Sequence, residues 1–319
     1  MTRARAAVGM CFDRAFDPAL VTEFARALDG RADELWVIED CFYTAGVSLA
    51  AAALAVTEDL TVGLGILPAR ARTAAVTAME IATLCGLAPG RVIGGIGHGV
   101  QEWMAQMGVR PASPLTALEE VLTTVGHLLD GEDVTFHGAY VDLDHVRLDR
   151  PPHPRPPLLA GVRGPKSLAL AGRVADGVVL ADAVGPGFIR TAKEQAGDPA
   201  PFHITVFAAL ITGSRREDAY AHAAPWLANQ LTSPTPSLTG APFYEDLVRI
   251  YSRGGIDALP TIPQDWWLEL GAIGTLDDAA AHIDALEQAG VTGVALFPGP
   301  DEEIASAQIA DVVRLASRT

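Results

Sequence analysis

Arg91-Val-Ile-Gly-Gly-Ile-Gly-His-Gly99 is the stretch on which the fold turns. It begins as an apolar run suited to a strand covered on both faces, and it ends in glycines that let a flat ligand or its linker approach the backbone. A dinucleotide fold would need GxGxxG, with a third glycine three places beyond a pair spaced by two. Counted from Gly95 and Gly97, that place holds Val100; counted from Gly97 and Gly99, it holds Glu102. The Rossmann fingerprint therefore fails, and a strand with a bare carboxyl end remains. Tight packing accounts for Gly94 and Gly95 but poorly for Gly97 and Gly99.

Further short runs rich in Val, Ile and Leu lie outward from Arg91–Gly97: Ala7–Cys11, Glu34–Ile38, Leu60–Ile66, Pro157–Ala160, Gly177–Ala181, His203–Ile211 and Thr292–Phe297. Helical patterns separate them near Pro18–Asp29, Thr44–Thr57, Thr73–Leu87, Val100–Met107 with Pro114–Leu129, Pro165–Arg173, Gly187–Gln195 and Ser214–Gln230, and a last one follows at Asp301–Ala316. Such alternation predicts an α/β fold, a (β/α)8 TIM barrel over residues 1–319 as a single domain, with a doubly wound open sheet as the alternative. Two regions break the repeat and are expected as insertions, about 132–157 and 231–274. The first reads as a hairpin running into Pro151-Pro-His-Pro-Arg-Pro-Pro157; the second contains Phe243, Tyr244, Trp266 and Trp267 among prolines. These aromatics either line a substrate pocket or pack the insertion onto the barrel.

Composition narrows the class. In 319 residues, 49% are hydrophobic and 19% charged, which excludes a disordered chain. A net charge of −16, from 39 acidic against 23 basic residues, disfavours nucleic acid and anionic membrane surfaces as partners. The three cysteines, Cys11, Cys41 and Cys85, form no CxxC pair, so neither a disulfide framework nor a zinc site is expected, and a reducing cytoplasm is. The run Ala6–Phe12 is too short for a signal-peptide core, and Thr44 to Thr57 is too short to span a membrane. That same 44–57 segment carries no charge on any helical face, which predicts that a second copy of the chain covers it in a homodimer.

Three places could carry chemistry. In Ala160-Gly-Val-Arg-Gly-Pro-Lys-Ser-Leu168, Pro165 suits a first helical turn, and the free amides beyond it face an anion with help from Arg163 and Lys166. Glu39-Asp40 follows the second strand, on the barrel end that keeps active sites; a lone carboxylate there can bond a cofactor, accept a proton or cap its loop. His98 ends a strand, whereas His127, His137, His145, His153 and His282 read as surface or loop residues. No GxSxG, HExxH or EF-hand loop occurs, and no metal site is expected.

Several segments in order carry a family resemblance: Trp36-Val-Ile-Glu-Asp40, Val62-Gly-Leu-Gly-Ile-Leu-Pro68, Met79-Glu-Ile-Ala-Thr-Leu84, Pro89 to Gly99, Glu102-Trp103, Gly164-Pro-Lys-Ser167, Ala171-Gly172 and Ala175-Asp-Gly177. From Val8 to Pro298 the chain resembles the luciferase-like flavin-dependent oxidoreductases, in the branch that uses the deazaflavin coenzyme F420. The resemblance implies a (β/α)8 barrel, often a homodimer, with the cofactor at the C-terminal mouth. It implies that Asp40 contacts the deazaflavin ring and that Gly65-Ile66 forms a bulge holding a non-prolyl cis peptide behind it. It places His98 and Gly99 beside the ring and ribityl chain with Trp103 nearby, and it makes Gly161, Gly164, Pro165, Lys166 and Ser167 the phosphate-binding turn. Sugar-phosphate dehydrogenases of this branch carry a His, a Trp and a Glu where this chain has Cys41, Ala45 and Val100, so glucose-6-phosphate is disfavoured. The pattern is closer to the methylenetetrahydromethanopterin reductase-like group.

The expected activity is hydride transfer between F420 and a small organic substrate, with Asp40 or His98 as the candidate proton donor. The alternatives are an FMN-dependent monooxygenase on the same scaffold and, in a different class, a non-catalytic flavin-binding subunit. An aldolase is disfavoured because neither Lys166 nor Lys193 is placed for a Schiff base.

Overall fold

Apolar runs covered on both faces become eight parallel strands, which we number β1 (Ala7–Phe12), β2 (Glu34–Val37), β3 (Thr61–Leu64), β4 (Val92–Gly97), β5 (Leu158–Gly161), β6 (Gly177–Ala181), β7 (His203–Thr212) and β8 (Gly293–Phe297). The computed structural model describes residues 5–318; residues 1–4 and 319 of the expected 1–319 domain lie outside the described residues. Each strand pairs in parallel with the next, and β8 pairs back onto β1. In that register Met10 lies beside Leu35 on one side and Leu296 on the other, so the ring is closed. A closed parallel barrel replaces the open-sheet alternative.

Helices form the outer layer because their apolar faces have only the barrel to cover them. Phe24 and Leu28 of the Val21–Leu28 helix, Ile81 of the Ala74–Leu87 helix and Leu122 of the Pro114–Leu129 helix join Val8, Met10, Leu35 and Val62 in one buried cluster. Each such side chain contributes about 1.5–3 kcal/mol by leaving water. Inside the barrel lies a second cluster of Cys11, Trp36, Leu159, Val179, Phe207 and Ala295. The Trp36 indole meets the Phe207 ring edge-on at 5.2 Å, and its Nε1 donates to Glu34 at 2.7 Å. Gly63 exists to seat that indole: a Cβ there would come within 2.3 Å of it.

Between residues 132 and 157, Val134–His137 and Asp142–Val146 pair antiparallel as a hairpin. Between residues 231 and 274 short helices and a 3-10 turn build a separate buried cluster around Tyr220, Leu227, Phe243, Leu247, Leu259 and Trp267. Rings stack there, Tyr220 on Trp267 at 5.0 Å and Phe243 on Trp266 at 4.9 Å. These four aromatics serve packing within the insertion and against the Arg216–Thr232 helix.

One further helix, Leu276–Ala289, fills the stretch before β8 for which the sequence patterns name no element, and Thr275 and Asp278 close a capping box at its start. His282, expected as a surface or loop residue, lies on this helix fully buried, with Nδ1 bonded to the Leu268 carbonyl at 2.7 Å and its pKa lowered by burial to about 4. Its spacing with Ala279, Ile283 and Leu286 on one face was the available signal.

Candidate active site at the carboxyl ends of the strands

Four consecutive strands, β2 to β5, end in the segments that the sequence singles out: Glu39-Asp40, Gly65-Ile66, His98-Gly99 and Gly161 to Ser167. Strand neighbourhood alone therefore gathers them into one arc of the rim. The Gly65–Ile66 peptide is cis. Ile66 leans across the rim, and bare backbone receives it: a Cβ at Gly161 would stand 2.3 Å from its Cδ1, and one at Gly97 3.2 Å from its Cγ2. Gly97 and Gly161 are thus needed for close approach between neighbouring loops, which answers the question left by the glycine run. Gly99 has φ +69°, and a side chain there would meet Pro68 at 2.9 Å.

The two adjacent carboxylates divide their work. Glu39 is buried, receives Arg72 through both oxygens at 2.5 and 2.8 Å, and accepts the Gly46 amide at 2.9 Å, so it caps the Gly46–Leu54 helix. Arg72 also pairs with Glu80 at 2.8 Å. Asp40 remains partly exposed and takes a hydrogen bond from Arg14, whose guanidinium lies 4.7 Å from the Tyr43 ring centroid. Neither Arg14 nor Arg72 was foreseen; Arg14 follows β1 at the same barrel end, the one hint that was available.

His98 is half-buried, and burial holds its imidazole below the ordinary histidine range. Its Nδ1 lies 3.1 Å from the Pro114 carbonyl oxygen and its Nε2 2.9 Å from Ser167 Oγ. The strand-end histidine and the glycine-proline turn, sixty-nine residues apart, are therefore in direct contact. Trp103 is half-buried on the Gln101–Gln106 helix that follows.

The turn at Gly164 begins the Pro165–Val174 helix with no side chain capping it, and a Cβ at Gly164 would meet nothing within 4 Å. The amides of Lys166 and Ser167 belong to that uncapped first turn, and among the described residues exposed Lys166 has no ion-pair partner. Arg163 is committed elsewhere, to Asp182 at 2.6 Å. An uncapped first turn, an unpaired cation and an open approach together fit an anionic tail, while the Ile66 cradle fits the edge of a flat ring. No cluster of three or more potential metal ligands occurs among the described residues. A polar cavity of about 530 Å³ beside Arg5, Arg31, Asp33 and Asp59 lies at the opposite end of the strands.

A closed parallel barrel with its functional loops at the carboxyl ends of the strands is an enzyme architecture. The luciferase-like monooxygenase family model matches residues 8–293, and the chain belongs to that family of F420- or flavin-dependent oxidoreductases. It is 32% identical over 167 residues to a 5,10-methylenetetrahydromethanopterin reductase of Methanolobus tindarius, covering 51% of each chain. It is 27% identical over 267 residues to the enzyme of that name from Archaeoglobus fulgidus, covering 77% of this chain and 80% of that one. The match thus spans about half the length of the first relative. Among solved structures, a coenzyme F420-dependent tetrahydromethanopterin reductase from Methanopyrus kandleri superposes with TM-score 0.78 at 20% identity, covering 98% of both chains. The oxygenating constituent of 3,6-diketocamphane monooxygenase from Pseudomonas putida, in complex with FMN, superposes with TM-score 0.67 at 17% identity, covering 97% of both. At those identities the structures speak for the fold. No helix among the described residues is long and apolar enough to cross a membrane.

Proposed function

We propose that the protein is an F420-dependent oxidoreductase that moves a hydride between the deazaflavin and a small organic substrate. The observation that carries this reading is the continuous rim from β2 to β5, where Ile66 rests on the bare backbone of Gly97 and Gly161 and leads to the uncapped turn at Gly164. Bound there, the deazaflavin would supply the hydride chemistry, and the protein's share is to hold and orient. Ile66 backs the ring, Gly99 and Trp103 border its linker, and Gly161, Pro165 and the amides of Lys166 and Ser167 receive the phosphate with Lys166 as counter-charge. Arg163 contributes to the turn through its pair with Asp182. Asp40, tied to Arg14, presents a carboxylate to the ring's polar edge, and His98 stands beside it.

Titration of the purified protein with F420 and with FMN tests this. F420 is expected to bind and FMN to be rejected; tight FMN retention without F420 affinity would make the protein an FMN monooxygenase instead. Lys166→Ala is expected to weaken F420 binding about tenfold, the worth of one charge-assisted contact to the tail. Turnover of any substrate by the loaded protein eliminates the non-catalytic subunit.

The active assembly is proposed to be a homodimer built on the 44–57 region. Phe42 and Tyr43 leading into the Gly46–Leu54 helix are 64% and 56% exposed, and Met79 and Leu87 on the adjoining Ala74–Leu87 helix 53% and 59%. These apolar side chains surround a helix without a charge. Met79→Glu is expected to shift the protein from dimer to monomer in sedimentation equilibrium, and a wild type that is already monomeric would end the proposal. Three free thiols suit a reducing cytoplasm.

A further inference from the structure

We propose that Tyr140, at the tip of the 134–146 hairpin, is a positioning residue that fixes which nitrogen of His98 carries the hydrogen. The inference rests on the reading above that His98 borders the cofactor.

The tip is built to hold one position. The buried carboxylate of Glu120 accepts three successive amides from it, Ala139 at 2.8 Å, Tyr140 at 2.7 Å and Val141 at 3.0 Å. Gly138 is required beside that carboxylate, since a Cβ would come within 2.5 Å of Glu120 and of the Phe136 ring. From the other side Arg70, just beyond the short strand Leu67–Pro68, donates to the Tyr140 carbonyl at 2.7 Å, and its guanidinium lies 5.5 Å from the Tyr140 ring centroid. An insertion that served only to cover apolar surface would need none of these polar ties.

From this anchored tip a short chain of contacts runs to the site. The Tyr140 hydroxyl accepts the Ser113 amide at 2.7 Å, and Ser113 caps the Pro114–Leu129 helix by accepting from the Thr116 amide. The next residue, Pro114, offers its carbonyl oxygen to His98 Nδ1 at 3.1 Å. A carbonyl cannot donate, so Nδ1 must carry the hydrogen; the opposite tautomer would set two lone pairs against each other. Nε2 of the neutral ring is then an acceptor, filled by the Ser167 hydroxyl at 2.9 Å. An insertion at the edge of the barrel thereby specifies the form in which His98 meets the site: a lone pair directed to Ser167, with no hydrogen of its own to give on that side.

Long-range proton–nitrogen NMR of the histidine rings in the ligand-free protein tests this. Wild-type His98 is expected to show the single Nδ1–H form. Tyr140→Phe, which keeps the ring over Arg70 but loses the acceptor for Ser113, is expected to give a mixture with the Nε2–H form and to weaken F420 binding about three- to tenfold. Its thermal midpoint should move little. Glu120→Gln, which weakens the hold on the three tip amides and leaves the Tyr140 side chain unchanged, should shift the His98 signals in the same direction. An Nε2–H form in the wild type, or unaltered signals in both variants, would overturn the assignment. A wild type that binds neither F420 nor FMN would remove the functional reading while leaving the tautomer measurement to decide this one.

Discussion

Gly63→Ala is expected to destabilise the protein by about 3 kcal/mol or more, at or beyond the upper end of the usual cost of overpacking. The added methyl would fall 2.3–2.5 Å from the Trp36 ring atoms Cδ2, Cε3 and Cε2, far inside van der Waals contact. The indole has no room to yield. It is fully buried, held edge-on against Phe207 and tethered through Nε1 to Glu34. Thermal unfolding should show a midpoint lowered by about 5–10 °C for a chain of this size. Gly86→Ala is the control: that glycine lies in the Ala74–Leu87 helix with nothing within 4 Å of an added Cβ, so its midpoint should hold or rise slightly. Equal behaviour of the two variants would mean that the barrel interior is looser than described.

Glu34→Gln is expected to stabilise the protein at pH 8 and to do nothing of the kind at pH 4. Glu34 points into the barrel, and burial pushes its carboxyl up from 4.5 to about 7 against the lowering effect of the Trp36 hydrogen bond. The folded form therefore holds a proton that the unfolded chain releases near 4.5. Stability from this group is complete below pH 4.5, falls as pH rises toward 7, and above 7 is lower by about 3 kcal/mol. Glutamine keeps the oxygen that accepts from Trp36 and never ionises, so it recovers up to about that amount at pH 8. Unfolding by urea at both pH values checks it; a pH-independent difference between the proteins would refute the assignment of the cost to ionisation.

Much of the fold was legible because the barrel strands are hidden on both faces and so appear as unbroken apolar runs such as Gly177–Ala181 and Thr292–Phe297. Leu276–Ala289 is harder to read because Asp277, Asp284 and Glu287 interrupt its apolar face and it directly follows an insertion that breaks the repeat of strand and helix. In the site, residues immediately after strands could be placed from sequence, since the barrel fixes where strand ends go: Asp40, Ile66, His98 and Gly164 all fall on one rim. What could not be read was partnership. The bonds of Arg14 to Asp40, Arg72 to Glu39 and Tyr140 to Ser113 join residues 26, 33 and 27 positions apart, and no local pattern marks such pairs.

The separate aromatic cluster of the 231–274 insertion has a consequence for how such a chain can change over time. Phe243, Leu247, Leu259 and Trp267 pack on one another and on the Arg216–Thr232 helix, and the insertion is tied to the turn after β5 through Asp182, whose carbonyl accepts from Ser237 and whose carboxylate holds Arg163. Exchanges among those aromatics are therefore absorbed inside the lobe, while a change at Asp182 would be felt on both sides of the seam.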